Sequence, residues 1–194
     1  MTAHAHRRGE IPARLTWLAG ILDVDPADEI LEAGCGNGAL AALIHPRLRA
    51  GAYVGIDRSP AAIASAARRG IPAAGAVRFV PLALQDADRL GRRFDKIVAM
   101  NVNVFWHGAQ PELAVVTSLM KARAALYLAY QPPHAGRMAE LRARLRANLE
   151  RAGLHIVREE TADMTPAPVL CTIAARHAVR ASATGEPRRS RCAT

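Results

Sequence analysis

Long apolar runs, cysteine and lysine are all scarce in this sequence of 194 residues. The best apolar stretches, around Ile97 and Leu126, fall well short of the roughly 18 to 20 residues that span a bilayer, so no membrane segment is expected. No apolar segment follows the opening MTAHAHRRGE, which argues against a secretory leader, and a cytoplasmic protein is expected. Cys35, Cys171 and Cys192 are an odd, scattered set, neither a disulfide framework nor a metal cluster. His4, His6 and His45 lack ligand spacing, so no metal is expected.

Lysine occurs only at 96 and 121; arginine supplies the rest of a net charge of +9 in an alanine-rich chain. That pattern reads as compositional bias more than as selection for phosphate contacts. Arg180, Arg188, Arg189 and Arg191 face only Glu186 in the last stretch of the chain. On the segment 135–152, Glu140 stands one turn before Arg144 and Glu150 one turn after Arg146, so local pairing accounts for much of that charge. Nucleic acid is therefore not the favoured partner.

Strand-like and helix-like patterns alternate through the rest. Leu15, Leu18, Ile21 and Leu22 mark a helix over 13–22, with Trp17 beside the stripe. Glu29 to Ala33 reads as a buried strand, followed by a glycine turn at 34–38 and a helix over 39–45. A second strand, 52–56, ends at Asp57. Ser59 as N-cap and Pro60 as first helical residue then open a helix that stops at Gly70. Further strands are expected at 77–80, 94–100 and 125–130, with a helix from Pro111 through Met120. Met138, Leu141, Leu145 and Leu149 share one face of a helix over 135–152, which Gly153 ends. Two last strands, 154–157 and 169–174, are joined only by a loop.

The expected fold is α/β: one doubly wound domain with a seven-stranded, mostly parallel sheet, helices on both faces and a C-terminal antiparallel hairpin. Residues 1–25 read as an N-terminal helical cap, 26–176 as the Rossmann-like domain and 177–194 as a disordered basic tail.

The informative run is Ile30-Leu31-Glu32-Ala33-Gly34-Cys35-Gly36-Asn37-Gly38. A buried strand delivers the chain to a turn in which every second residue lacks a side chain, so a ligand can approach the backbone N–H groups. The following helix points its N-terminus at the same crevice, beyond the carboxyl ends of the strands. Asp57, ending the second strand, can accept hydrogen bonds from both hydroxyls of a ribose. Asp86, after the third strand and beside Ala87, can accept one from an adenine amino group. Three strand ends thus converge on one adenosine-like ligand.

The runs LEAGCGNG, VGIDRSP, QDAD and FDKIVAMN resemble, in that order, the motifs of class I S-adenosylmethionine-dependent methyltransferases. The resemblance spans roughly residues 12–175. It implies S-adenosylmethionine as cofactor and S-adenosylhomocysteine as product. Glu32, Gly34, Gly36 and Gly38, with Cys35 and Asn37 in the same turn, would line the methionine portion. Asp57 would hold the ribose, Arg58, Asp86 and Ala87 would meet the adenine, and Asn101 would lie near the sulfonium.

Two departures stand out. The proline-glycine-glycine turn usual before the fifth strand is Met120-Lys121-Ala122-Arg123-Ala124 here. Asn101-Val102-Asn103-Val104 lacks the prolines and aromatic that mark methylation of exocyclic or amide nitrogens. A small-molecule acceptor is the leading expectation, with RNA or DNA and a non-catalytic binding module as alternatives. Methyl transfer from a sulfonium needs alignment and dryness more than a dedicated base. His107, beside Trp106, and Tyr130, ending the fifth strand, are the candidates for handling the acceptor; a loop histidine and a packing aromatic are their bland readings. Trp17 with Arg14 would belong to a helix over the cofactor, or simply dock that helix. Cys35 reads as a small packing residue in the glycine turn. The motifs specify neither the acceptor atom nor the oligomeric state.

Overall fold

The computed structural model describes residues 11–71, 77–108 and 110–176. The readings for His4, His6, Cys192 and the tail 177–194 fall outside these, as does the first part of the cap at 1–25. Seven strands form one sheet: β1 (Glu29–Ala33), β2 (Ala52–Asp57), β3 (Val77–Pro81), β4 (Phe94–Met100), β5 (Met120–Tyr130), β6 (His155–Ala162) and β7 (Val169–Ala175). Their order is β3-β2-β1-β4-β5-β7-β6. The first five run parallel, while β7 is antiparallel to both β5 and β6, as expected.

Strand alternation sends side chains to two faces, and each face has its own helices. Leu31, Val54, Ile97 and Leu126 pack against α4 (Val104–His107), α5 (Gln110–Leu119) and α6 (Met138–Arg151), through Phe105, Leu113, Val116, Leu141, Leu145 and Leu149. Ile30, Tyr53, Val98 and Ala129 face the opposite way. They meet α1 (Ala13–Ile21) and α2 (Ala39–Ile44) through Leu18, Leu40 and Ile44. A third helix, α3 (Pro60–Ala67), packs beside β3, and Ser59 caps it as read, its Oγ accepting from the Ala62 N–H at 3.3 Å. Each fully buried Leu, Ile or Phe contributes about 1.5–3 kcal/mol of transfer free energy.

The corner before β5 is where the sequence departs from the usual turn. The strand begins at Met120, immediately after α5, and not at Ala125. Met120 pairs with Phe94 and Ala125 with Lys96, so the residues between form a bulge. Lys121 Nζ closes it on Asp95 Oδ2 at 2.7 Å. The edge strand β6 is also longer than expected, reaching Ala162.

The arginines of α6 are paired much as the spacing implied. Arg144 meets Glu140 at 3.0 Å, Arg146 approaches Glu150 at 4.0 Å, and Arg142 reaches Glu159 on β6 at 3.6 Å. Such exposed pairs add little stability, but they blunt any uniform basic stripe.

Candidate active site

At the carboxyl ends of β1, β2 and β4 lies a cavity of about 560 Å³. Ala33 and Gly34 form its wall at β1, Ile56 to Arg58 at β2, and Leu82 to Gln85 beyond β3. Met100 to Val104 close it at β4, and Glu112 of α5 completes it. The crossing from β1 to β2 on one face and from β4 onward on the other opens this crevice.

The glycine turn takes its shape from its residues. Gly34, Gly36 and Gly38 have φ of 73°, 53° and 73°, in the left-handed region. The N–H groups of Gly34 and Cys35 both donate to Ile56 O, at 2.8 and 3.0 Å, which fastens the turn to β2. At Gly34 a Cβ would sit 2.7 Å from Val102 Cγ2, so the β1 and β4 walls approach each other only because that atom is missing.

Asp57 joins the two motifs. Its Oδ2 accepts the Gly36 N–H at 3.0 Å and its Oδ1 the Ser59 N–H at 2.9 Å. A carboxylate offers about four acceptor positions, so two lone pairs remain for a ligand's vicinal diol. Arg58 lies beside it, exposed, in the same wall.

Glu32 is buried at 3% exposure, and the Tyr53 hydroxyl donates to its Oε2. Burial, with the charge of Asp57 nearby, pushes its carboxyl up to about 8 despite that hydrogen bond. The Cys35 thiol is pushed up to about 12 by burial and by the charges of Glu32 and Asp57. It behaves as a packing group, not a nucleophile. Glu32, Cys35, Gly36, Asn37 and Gly38 are not among the residues that line this cavity, and Asn37 is exposed.

Asn101 follows β4 with φ of 57°, which asparagine tolerates better than most residues. Its N–H donates to Ala129 O at 2.9 Å, and its Oδ1 accepts the Gln131 N–H at 2.9 Å. Gln131 Nε2 in turn donates to Thr165 O and Ala167 O, each at 3.0 Å. Arg14 of α1 reaches Gln131 Oε1 at 3.5 Å. The helix α1 is therefore tied to the site's rim but contributes no residue to the wall, and Trp17 packs into the core layer beneath it.

The remaining candidates are placed elsewhere. A 3-10 turn over Leu84–Leu90 leaves Asp86 exposed outside the wall and Ala87 fully buried in the core. Tyr130 is buried, its hydroxyl donating to Val102 O, and burial raises its pKa above the ordinary value. It supports the β4 wall from behind. His107 is exposed beyond the wall, its ring 4.0 Å from that of Trp106. Among the described residues no cluster of three or more His, Cys, Asp or Glu side chains is arranged to hold a metal.

Sequence reasoning missed Gln85 and Glu112. Gln85 Nε2 donates to Glu112 Oε1 at 2.7 Å, so an amide and an acid 27 residues apart share the wall. An acid after Pro111 reads as a complement to a helix start; only the packing of α5 over the 84–90 turn brings it to the cavity.

Residues 30–122 match a family model described as a methyltransferase domain. No curated protein matches the sequence. Among solved structures, magnesium protoporphyrin IX methyltransferase from Synechocystis with bound S-adenosylmethionine is 20% identical. Its TM-score is 0.62, covering 84% of this chain and 76% of that one. Mitomycin 7-O-methyltransferase is 18% identical with a TM-score of 0.67, over 84% and 53% of the two chains. Ribosomal protein L11 methylase from Lactobacillus delbrueckii is 14% identical with a TM-score of 0.64, over 84% and 78%. The glycine turn, the acid that fastens it and the sheet order agree with that match, and residues 30–122 carry the features of a methyltransferase domain.

Proposed function

We propose that the protein transfers the methyl group of S-adenosylmethionine to a small-molecule acceptor. The observation that carries this reading is one continuous cavity running from Asp57 to Val104, whose volume suits a cofactor with a compact acceptor beside it. The chain's own residues fit the cofactor. Asp57 has acceptor capacity left for the ribose diol, and the bare Gly34 lets the methionine portion pass close to the backbone. When bound, the cofactor supplies an electrophilic methyl carbon on a positively charged sulfur, open to in-line displacement.

The protein's work is then alignment and exclusion of water. Asn101, Val102 and Asn103 form the wall at β4, where the acceptor would lie, and Tyr130 and Gln131 hold that backbone in place. His107 lies outside this wall and the Tyr130 hydroxyl is engaged. The geometry therefore favours an acceptor atom that carries no proton when it attacks. Relatives in fold act on a tetrapyrrole, on mitomycin and on a ribosomal protein, so fold alone leaves the acceptor class open.

The net charge of +9 favours nucleic acid as a second reading. Incubating the protein with methyl-tritiated S-adenosylmethionine and a cell extract separates the two. A labelled small molecule that separates from the cofactor by chromatography is expected; protein-dependent label found only in RNA, DNA or protein, with no such product, would overturn the proposal.

A further inference from the structure

Asn101 and Asn103 stand two residues apart in the cavity wall at β4, and each has its carboxamide oxygen taken by the protein. Asn101 Oδ1 accepts the Gln131 N–H at 2.9 Å. Asn103 Oδ1 accepts the indole N–H of Trp106 at 3.4 Å, and the Arg137 guanidinium, 5.1 Å over that ring, steadies it. A pinned oxygen decides which way an amide faces. Each Nδ2, with two N–H donors, is left without a protein partner among the described residues. The wall around them is apolar, through Met100, Val102 and Val104. Its acids are held toward the other strands, Asp57 by Gly36 and Ser59, and Glu112 by Gln85.

Two amide donors at the acceptor's end of the cavity select for a group rich in lone pairs. An amine or a pyridine-type nitrogen has one lone pair, which must point at the methyl carbon, so it leaves the donors unmet. A carboxylate offers about four acceptor positions, enough to take both N–H groups and still attack. It also arrives ionised, since its pKa is about 4, whereas a phenol, at about 10, needs a base. His107 is outside the wall and the Tyr130 hydroxyl is engaged, so neither serves as that base.

We propose that the methyl acceptor is a carboxylate, seated on the Nδ2 groups of Asn101 and Asn103, and that the product is a methyl ester. The inference rests on the methyl-transfer reading above and names its substrate class. A lone pair of one carboxylate oxygen forms the bond to the methyl carbon as the carbon–sulfur pair withdraws onto sulfur. The negative carboxylate becomes a neutral ester, the positive sulfonium a neutral thioether, and no proton is taken up or released.

The test treats the small-molecule product labelled from methyl-tritiated S-adenosylmethionine and a cell extract with mild alkali. A methyl ester hydrolyses and gives up its label as volatile methanol; N-methyl, C-methyl, ether and phosphodiester products keep theirs. Release of most of the label is expected. Label that survives alkali would overturn the inference and leave the methyl-transfer reading intact, whereas no labelled small molecule at all would overturn both. Asn101→Asp and Asn103→Asp keep the pinned oxygens but turn each donor into an acceptor. Each should slow ester formation by about tenfold to a hundredfold, as befits a lost hydrogen bond to a charged group. Calorimetry should show Asn103→Asp binding S-adenosylhomocysteine as the wild type does. Undiminished ester formation in both variants would overturn the inference. Should the variants not fold, the wild type with S-adenosylhomocysteine bound decides the matter by nuclear magnetic resonance. Millimolar benzoate should shift the side-chain amide signals of Asn101 and Asn103, and benzyl alcohol should not; signals unmoved by benzoate refute the inference.

Discussion

Replacing Glu32 by glutamine isolates the most perturbed carboxyl of the site. The wild-type group is buried, takes a hydrogen bond from Tyr53, and titrates at about 8 in the folded protein against 4.5 ordinarily. The folded state therefore holds a proton between pH 4.5 and 8 that the unfolded chain has released, so stability falls as pH rises through this window. At about 1.4 kcal/mol per pH unit, with the unfolded group already half ionised at 4.5, the loss between pH 5 and pH 8 is about 3–4 kcal/mol. Glutamine keeps the shape and the oxygen that Tyr53 needs but cannot ionise. Urea unfolding of both proteins at pH 5 and pH 8 gives the comparison, other titrating groups cancelling in the difference. Glu32→Gln should gain about 3–4 kcal/mol on the wild type between the two pH values, about 1 M or more in urea midpoint at ordinary slopes. A difference that stays constant with pH, or that runs the other way, would refute the reasoning.

The other expectations concern the turn and its acid. Asp57→Ala should weaken binding of labelled S-adenosylmethionine by at least about a hundredfold in equilibrium dialysis, because the ribose loses charge-assisted partners and Gly36 loses its anchor. Gly34→Ala puts a Cβ 2.7 Å from Val102 at a φ of 73°, and should cost about 2–4 kcal/mol in chemical unfolding. Gly36→Ala meets nothing within 4 Å and should cost only the backbone strain, about 1–2 kcal/mol. Cys35, with its thiol at about 12, should resist iodoacetamide at pH 8 in the folded protein and react once urea unfolds it. Rapid native-state alkylation at Cys35, read by mass spectrometry, would show that the turn opens.

What was legible in the sequence follows from which signals are local. Ser59-Pro60 marks a helix start by its own chemistry, and the parallel strands read as apolar runs because both their faces are buried. The start of β5 was hidden because Lys121 and Arg123 interrupt the apolar pattern, while the bulge opposite Asp95 gives Lys121 a partner that no periodicity reveals. The far half of β6 was hidden for a related reason: an edge strand carrying Arg158, Glu159 and Glu160 has little apolar alternation to show.

Gly34, Asp57 and Asn101 share the cavity wall because strand ends in this fold fall beside one another. Asp86 stands outside that wall by one step of a 3-10 turn, and Gln85, its neighbour, lines the cavity. Glu112 was beyond reach, since it arrives by the packing of a helix over that turn and not by any local pattern.

The central proposal is that an adenosyl ligand lies across the ends of β1, β2 and β3, fixed by Asp57 and the glycine turn. Calorimetric titration of the wild-type protein with S-adenosylhomocysteine tests it most directly. One molecule bound per chain at micromolar concentration is the predicted result; no heat of binding up to high micromolar ligand would contradict it.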